Sequence, residues 1–312
     1  WNAQALGRVH GLAVGPGGSL YVMSQGDFGF PRIQRFNADG DYERTLVPRP
    51  AGLLPERVKA LGELTLADGQ RIPRELLPEY GSDSRQSPLV TAEGDLIFVN
   101  GAGQGHPEGH RFASHARGQS PSRRLLRLAA DGGAPAAGYL GPELGKGFDK
   151  AELHLALGPD GRTIYISGAR HAVFQVAWGQ TNEPAAVAGT PDVPGSGTSL
   201  KDPRGVAVDG SGRVYVADRG NHRLVVFGPQ GKLVAQIPVE WPDQVVLKPR
   251  SDVLYVTAGF GQMRLLKFAG LQVLKPAAEM PLQVSQPLMA SDAQAEDPAL
   301  IIANVQQPGG DA

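Results

Sequence analysis

Histidines are the residues of this chain whose type and spacing best suit metal chemistry. Three of the seven, His106, His110 and His115, lie in one segment, GAGQGHPEGHRFASHARGQSPSRR. Residues four apart share a helix face, so a helical segment with this spacing could hold a divalent metal ion. The segment is rich in Gly and Pro, however, and a loop must lose conformational entropy before it chelates an ion. We therefore expect these histidines and Arg111 to be ligand contacts on an exposed loop.

The same segment is positively charged. Its arginines are Arg111, Arg117, Arg123 and Arg124, against the single acid Glu108. Together with Arg204 they could attract an anionic saccharide, peptide or small acid. The whole chain has a formal net charge of −1, which gives no general reason to bind nucleic acid or an anionic membrane. Phe112 is the one aromatic residue of this segment, so base stacking is not expected there.

Short strands are the elements that would position these residues. The stretch LKDPRGVAVDGSGRVYVADRGNHRLVVFGPQGKLVAQI, residues 200–237, contains four apolar runs separated by turn residues. Val206, Val208, Val214 and Val216 show the two-residue alternation of half-buried strands. Residues 209–212 and 229–231 supply Gly where a turn needs a positive φ. This stretch is therefore predicted to be one four-stranded antiparallel sheet.

The same pattern recurs along the chain. Copies of the first two strands begin at His10, Ser87, Leu153, Gly205, Gln244 and, more weakly, Pro287. A unit of four strands repeated at this spacing is typical of a β-propeller, because each sheet buries its faces against its neighbours. We predict an all-β, six-bladed propeller forming a single domain over residues 1–312. The last blade is expected to be incomplete or closed by the N-terminal segment, residues 1–6.

The best copy resembles an NHL repeat, whose name-giving residues are seen here as Asn221, His222 and Leu224. The resemblance implies an NHL-type propeller. Many bacterial NHL propellers are exported, so it also implies an extracellular or periplasmic location, although the chain begins at Trp1 without a signal peptide. No apolar run is long enough to span a bilayer. The absence of Cys excludes disulfides and thiolate metal sites.

Two connections are longer than simple turns and are candidates for function. Residues 48–85 join the first blade to the second and contain a possible short helix and a hairpin, and residues 101–124 interrupt the second blade. Strand alternation is expected to place both on one face. The residues preceding the inner strands should line the channel mouth on that face: His10, Gln86, Leu153, Arg204, Asp243 and Gln286. The polar members of this set are the predicted ligand-binding residues.

Two resemblances bear on metal binding at the mouth. The blade pattern is distantly similar to peptidylglycine amidating lyase, in which histidines before three inner strands hold zinc. Here only His10 matches, so the full histidine set is missing. Gluconolactonase-type propellers hold calcium through oxygen ligands, which Gln86, Asp243 and Gln286 could supply, although Arg204 would repel the ion. Zinc and calcium both stay open, and no cofactor is assigned.

Motifs for other chemistry are missing. The sequence has no nucleophile elbow or metalloprotease helix, and GAGQGHPEG lacks the Lys-Ser/Thr that a phosphate-binding loop requires. We therefore predict a binding module that presents its channel mouth to a protein, peptide or glycan. One alternative is a metal-assisted lyase or hydrolase at the same mouth, with His10 as a ligand. The other is an assembly domain of a larger protein.

Overall fold

The computed structural model describes residues 8–25, 31–61, 63–65, 70–73, 85–100, 123–148, 152–180, 182–248, 251, 253–271, 275–291 and 300–304. Within these residues the regular elements are short strands, apart from the helix α1 (Pro55–Lys59) and a few 3-10 turns. The all-β prediction is therefore confirmed. In the described part of the chain, no helix has the length and apolar character needed to cross a membrane.

Five four-stranded antiparallel sheets form the blades. Blade one contains β1 (Arg8–Val14), β2 (Leu20–Gln25), β3 (Pro31–Phe36) and β4 (Tyr42–Val47). After a small hairpin, β5 (Glu63–Thr65) and β6 (Arg71–Pro73), blade two contains β7 (Leu89–Val90), β8 (Leu96–Val99), β9 (Arg124–Leu128) and β10 (Leu140–Glu143). Blade three contains β11 (His154–Leu157), β12 (Thr163–Ala169), β13 (Ala172–Ala177) and β14 (Ala185–Gly189).

Blade four contains β15 (Pro203–Val208), β16 (Val214–Asp218), β17 (Arg223–Phe227) and β18 (Leu233–Pro238). Blade five contains β19 (Pro242–Leu247), β20 (Leu254–Phe260), β21 (Gln262–Phe268) and β22 (Ala278–Leu282). Within the described residues, a last sheet contains the two strands β23 (Pro287–Ser291) and β24 (Leu300–Asn304). The inner strands contact one another in the closed order β1, β7, β11, β15, β19, β23 and back to β1. They therefore surround a central channel.

The core lies between successive blades. Tyr21 and Ile33 of blade one share a buried cluster with Phe98 and Leu126 of blade two, and blades four and five share another. Burying each such side chain contributes about 2 kcal/mol relative to leaving it exposed. The alternation seen in the sequence therefore has its cause in this arrangement, because each sheet packs both of its faces against neighbouring blades.

The predicted blade number of six is wrong, since the described residues form five four-stranded blades. The copy at Pro287, whose blade was expected to be incomplete or closed by the N-terminal segment, forms a two-stranded sheet there. This sheet lies between β19 and β1. The Gln244 side chain donates to the Pro287 carbonyl at 2.9 Å and accepts from the Met289 amide at 2.8 Å. Leu288 packs with Leu12 of blade one. The sheet of β23 and β24 therefore fills the space between blade five and blade one and contacts the inner strands of both. The predicted closing segment, residues 1–6, lies outside the described residues.

The long connection at residues 48–85 contains the helix and the hairpin expected from the sequence. Arg57 of α1 donates to Asp131 at 2.8 Å, and its carbonyl accepts from Ala134 at 3.3 Å. Helix α1 therefore lies against the loop that joins β9 to β10. The shared face of the two long connections stays a prediction, because residues 101–122 lie outside the part of the chain that the structure describes.

Candidate functional site

Three inner strands begin with a register shift relative to their partner strand. The shifts fall between Val9 and Gly11, between Pro203 and Val206, and between Pro242 and Gln244. A β-bulge of this kind bends the strand and changes the direction of a side chain. The bulged segments contain His10, Arg204 and Asp243, so the same local feature displaces a polar residue in three blades.

Glycine at the bulges allows neighbouring inner strands to approach closely. A Cβ atom on Gly11 would lie 1.9 Å from the Gln86 carbonyl oxygen, and one on Gly205 would lie 2.7 Å from the Gln244 Cα. Real Cβ atoms essentially never come so close to the backbone. This tight packing brings the residues that precede Gln86 and Gln244, namely Arg85 and Asp243, to the same end of the channel.

Six charged side chains join at this end in a closed series of ion pairs, here called the ion-pair ring. Its members, in order, are Arg85, Glu152, Arg204, Asp202, Arg219 and Asp243. Arg85 binds both oxygens of Asp243, at 2.6 and 3.1 Å, and its Nε donates to Glu152 at 3.0 Å. Arg204 pairs with the other oxygen of Glu152. The longer contacts, from 3.3 to 4.0 Å, close the series through Asp202.

The pair of Arg85 with Asp243 spans the channel. Arg85 precedes the inner strand of blade two, whereas Asp243 lies in the inner strand of blade five, and two inner strands separate these blades on either side. The side chains are 12% and 2% exposed. A bidentate arginine–carboxylate pair is the strongest common type of ion pair. The pair of Arg85 and Asp243 therefore closes the channel at the end where the inner strands begin.

The protonation states at this end follow from burial and charge. Burial by itself would raise the pKa of Asp243, but the hydrogen bonds and positive charge of Arg85 outweigh it, and the net pKa is lowered. Burial would lower the pKa of Arg85, but its bonds to Asp243 and Glu152 keep it raised. Both groups are therefore charged at neutral pH.

A cavity of about 790 Å³ extends from the ion-pair ring along the channel. Its wall is mainly aliphatic and includes Val14, Leu89, Leu155, Val208, Leu247 and Leu288. Arg85, Ser87, His154 and Gln244 line the cavity at the ring end. The other end reaches the turns between first and second strands, where Gly210 and Ser211 are exposed. The cavity is therefore mainly apolar along its length, and the ion-pair ring closes its polar end.

His154, the first residue of β11, lies at the boundary between the ring and the apolar wall. Its Nε2 is buried and has no hydrogen-bond partner among the residues that the structure describes. Burial lowers the pKa of His154; the negative charges of Glu152 and Asp243 oppose this effect only in part, and Arg85 and Arg204 add to it. The imidazole is therefore neutral at pH 7, and its Nε2 makes no hydrogen bond within the described residues.

Of the residues predicted to form the mouth, Arg204 and Asp243 join the ion-pair ring. Gln86 and Leu153 do not, because they are buried among other blade residues. The side-chain oxygen of Gln86 accepts from the Val99 amide at 3.1 Å, and its backbone amide donates to the His10 carbonyl at 2.9 Å. In these two blades the preceding residues, Arg85 and Glu152, take the channel position instead.

The other predicted residues that the structure describes, His10 and Gln286, are not members of the ring's ion pairs. His10 is buried in β1, and Gln286 is half-buried just before β23. Residues His106, His110, Arg111 and His115 lie outside the described residues. Sequence reasoning missed Arg85, Glu152 and Arg219 as members of this end of the channel. Aligning the copies on Gly11 and Gly205 places Gln86 and Leu153 opposite His10 and Arg204, so the alignment of the repeats alone carries no signal for the one-residue difference in blades two and three.

Metal binding at the mouth stays a prediction. Among the residues that the structure describes, no group of three or more His, Asp or Glu side chains could hold a metal ion. Both oxygens of Asp243 are hydrogen-bonded to Arg85, and both oxygens of Glu152 are paired with arginines. These oxygens are therefore already committed to guanidinium groups.

Comparison with known proteins agrees with this geometry at the level of the fold. A family model described as NHL repeat matches residues 200–227. The structure is similar to virginiamycin B lyase from Staphylococcus aureus, with 12% identity over 97% of this chain and 93% of that one, and a TM-score of 0.54. It is also similar to a protein of unknown function from Bacteroides thetaiotaomicron, with 14% identity over 97% of this chain and 68% of that one, and a TM-score of 0.55. No curated protein matches the sequence. Identities this low show a shared fold alone.

Proposed function

Since the chain is an NHL-type β-propeller, we propose that it is a binding module whose small-molecule ligand occupies the central channel. The observation that carries this proposal is the cavity of about 790 Å³ behind the ion-pair ring. Ligand pockets are typically ~300–1,000 Å³, mostly apolar, with a few convergent polar groups. The aliphatic wall and the polar residues at one end fit that description.

The ligand enters from the end opposite the ion-pair ring. Arg85 and Asp243 close the channel at the ring end, and separating this buried pair would remove the nearest counter-charge of each group. At the other end the cavity reaches exposed turn residues such as Ser211. This location differs from the decorated mouth predicted from the sequence. Binding of a protein, peptide or glycan at that mouth stays a separate prediction.

A metal-assisted lyase or hydrolase is less well supported. One similar structure is a lyase by name, but the likeness at 12% identity extends to the fold only. The carboxylates of the ring end, Glu152 and Asp243, are paired with arginines, which leaves them poorly suited as metal ligands or general bases. Asp209, which lines the cavity, is likewise paired with Arg213. We therefore favour ligand binding without catalysis.

A neutral fluorescent probe, N-phenyl-1-naphthylamine, tests the proposal. We expect saturable binding of one probe per chain. Val208→Phe should weaken this binding, because Val208 is half-buried in the channel wall and a larger side chain narrows the cavity. Val234→Phe is the matched control, since Val234 is 53% exposed on the outer strand β18 and does not line the cavity.

The outcome is decided by comparing the two variants at equal folded content, verified by circular dichroism. Weaker probe binding by Val208→Phe alone supports the channel as the site. Unchanged binding by Val208→Phe, equal losses in both variants, or no saturable binding by the unaltered protein would overturn the proposal.

A further inference from the structure

Two aromatic side chains of blade five are exposed beside the ion-pair ring. Trp241, which directly precedes β19, is 38% exposed, and Phe260, the last residue of β20, is 78% exposed. The fraction for Phe260 is the highest of any large apolar residue that the structure describes. The centroids of the two aromatic rings are 5.6 Å apart, and their planes are inclined at 41°. The two side chains therefore form one exposed aromatic surface, here called the aromatic pair.

The backbone holds both members of the aromatic pair in place. Trp241 has a φ of +52°, in the left-handed region that bulky residues rarely adopt, and its carbonyl accepts from the Gly259 amide at 2.9 Å. Gly259 and Gly261 also have positive φ, and a Cβ on Gly259 would lie 2.1 Å from the Gln262 carbonyl oxygen. This tight turn leaves Phe260 at its tip. Strained backbone conformations of this kind are concentrated at functional sites.

The indole of Trp241 is further fixed by two polar side chains. His222 contacts it edge to face, with the centroids 4.3 Å apart, and the Arg219 guanidinium carbon lies 5.5 Å from the indole centroid. Arg219 is itself a member of the ion-pair ring. The side chain of Glu240 is 71% exposed and lies 3.1 Å from Nδ1 of His222. A ligand would therefore meet an aromatic surface that is already ordered, which lowers the entropic cost of binding.

The charges beside the aromatic pair disfavour an ionic ligand of either sign. Arg219 already lies over the indole of Trp241, so its charge would repel a second cation there. The exposed carboxylates of Glu240 and Asp202 would repel an anion such as the phosphate groups of a nucleic acid. A neutral ligand incurs neither repulsion.

The surroundings also differ from the centre of a protein–protein interface. Such interfaces cover roughly 800 Å² on each partner, and charged residues are depleted at their centre. Here Arg219 contacts the indole directly and Glu240 precedes Trp241 in the chain. A pyranose ring needs only a small aromatic surface, because its C–H groups pack against the aromatic face while its hydroxyl groups hydrogen-bond to carboxylates and imidazoles.

We propose that the aromatic pair is a saccharide-binding site, at which a neutral pyranose residue stacks on Trp241 and Phe260. Its hydroxyl groups hydrogen-bond to Glu240 and His222, the polar side chains beside the indole. This site lies outside the channel, so it does not depend on the proposed channel ligand. Of the protein, peptide and glycan ligands predicted for this mouth, it selects the glycan.

Neutral oligosaccharides test the site directly. Cellohexaose, chitohexaose and xylohexaose are each titrated into the unaltered protein by calorimetry, and the RNA oligonucleotide hexauridylate and the peptide hexaarginine serve as ionic probes. We expect saturable binding of at least one saccharide, and binding of either ionic probe that is weaker by about tenfold or more. Absence of saccharide binding, or equal or tighter binding of an ionic probe, overturns the proposal.

The channel probe separates this site from the proposed function. The bound saccharide should leave the binding of N-phenyl-1-naphthylamine unchanged, because the aromatic pair and the channel cavity have no residue in common. Displacement of the probe by the saccharide would place the saccharide in the channel and overturn the assignment to the aromatic pair. Saccharide binding by a protein that does not bind the probe would support this site while defeating the proposed function.

Substitutions of Phe260 assign the contact, since its exposed side chain can be changed without opening the core. Phe260→Ala and Phe260→Leu should each lower saccharide affinity by about tenfold, because both remove the flat aromatic face. Phe260→Trp should retain the affinity. Met280→Ala is the matched control, since Met280 is 50% exposed on the outer strand β22 of the same blade. Unchanged affinity in Phe260→Ala or Phe260→Leu overturns the assignment, as does an equal loss in Met280→Ala.

Discussion

Arg85 and Asp243 are 158 residues apart in sequence, yet the Arg85 guanidinium binds both carboxylate oxygens of Asp243 across the channel, at 2.6 and 3.1 Å. Arg85 precedes the inner strand of blade two and Asp243 lies in the inner strand of blade five, on opposite sides of the ring of blades. The contact therefore links parts of the propeller that share no blade interface. Under the proposed function, it also leaves the opposite end of the channel as the entrance for a ligand.

Removing the charge of Asp243 should destabilise the protein strongly. In Asp243→Asn the buried guanidinium of Arg85 loses its main counter-charge, and breaking one partner of a buried ion pair costs about 3–5 kcal/mol. Urea unfolding followed by circular dichroism measures the loss. Glu279→Gln is the control, because its pair with Arg264 is exposed and should contribute less than about 1 kcal/mol. Equal effects of the two substitutions would refute the buried cross-channel pair.

Acid should weaken the same contact. The pKa of Asp243 is lowered from 3.8 in the folded protein, so its stabilising effect is fully present above about pH 4 and is lost as pH falls toward the folded pKa. The free energy of unfolding should therefore decrease more steeply below pH 4 in the unaltered protein than in Asp243→Asn. Urea unfolding at pH 5, 4 and 3 measures both slopes. Parallel slopes would show that Asp243 does not titrate with folding.

His154 should make the free energy of unfolding depend on pH in a second range, for a different reason. Burial lowers its pKa from 6.5, despite the opposing charges of Glu152 and Asp243, whereas Arg85 and Arg204 lower it further. As pH falls below 6.5, His154 therefore becomes protonated in the unfolded chain more readily than in the folded protein. The free energy of unfolding should decrease over this pH range. His154→Gln should remove part of this decrease between pH 8 and 5.5. An identical pH dependence in the variant would contradict a neutral, buried imidazole.

The predictable part of this fold is the part that repeats. The alternation of Val206, Val208, Val214 and Val216 predicted β15 and β16, because each blade buries both faces of its sheet against neighbours. The copy at Pro287 has only two apolar runs, and the described part of this copy forms two paired strands. The number of four-stranded blades was wrong because the closing contacts of a ring are not visible within any single repeat.

The candidate site was less predictable because it depends on the register of the inner strands. Arg204 and Asp243 were assigned to the channel, but Arg85 and Glu152 were missed by one residue. Each strand residue faces opposite to the next one, so a one-residue error exchanges a channel position for a core position. The bulges that set this register have no signature in hydrophobic alternation alone. A comparison of single repeats also could not predict that arginines would pair with carboxylates from four blades.

Gly11 provides a direct test of how the inner strands set the site. A Cβ at this position would lie 1.9 Å from the Gln86 carbonyl oxygen, a backbone atom that cannot move without displacing blade two. We therefore expect Gly11→Ala to lower the free energy of unfolding by at least about 2 kcal/mol, as overpacking against fixed atoms does. Gly210→Ala is the matched control, since nothing lies within 4 Å of the position that its methyl group would take, and it should change stability by less than about 0.5 kcal/mol. Because Gln86 is adjacent to Arg85, the Gly11 variant should also weaken probe binding in the channel. If Gly11→Ala were as stable as the control, β1 and β7 would not be packed as closely as the ion-pair ring requires.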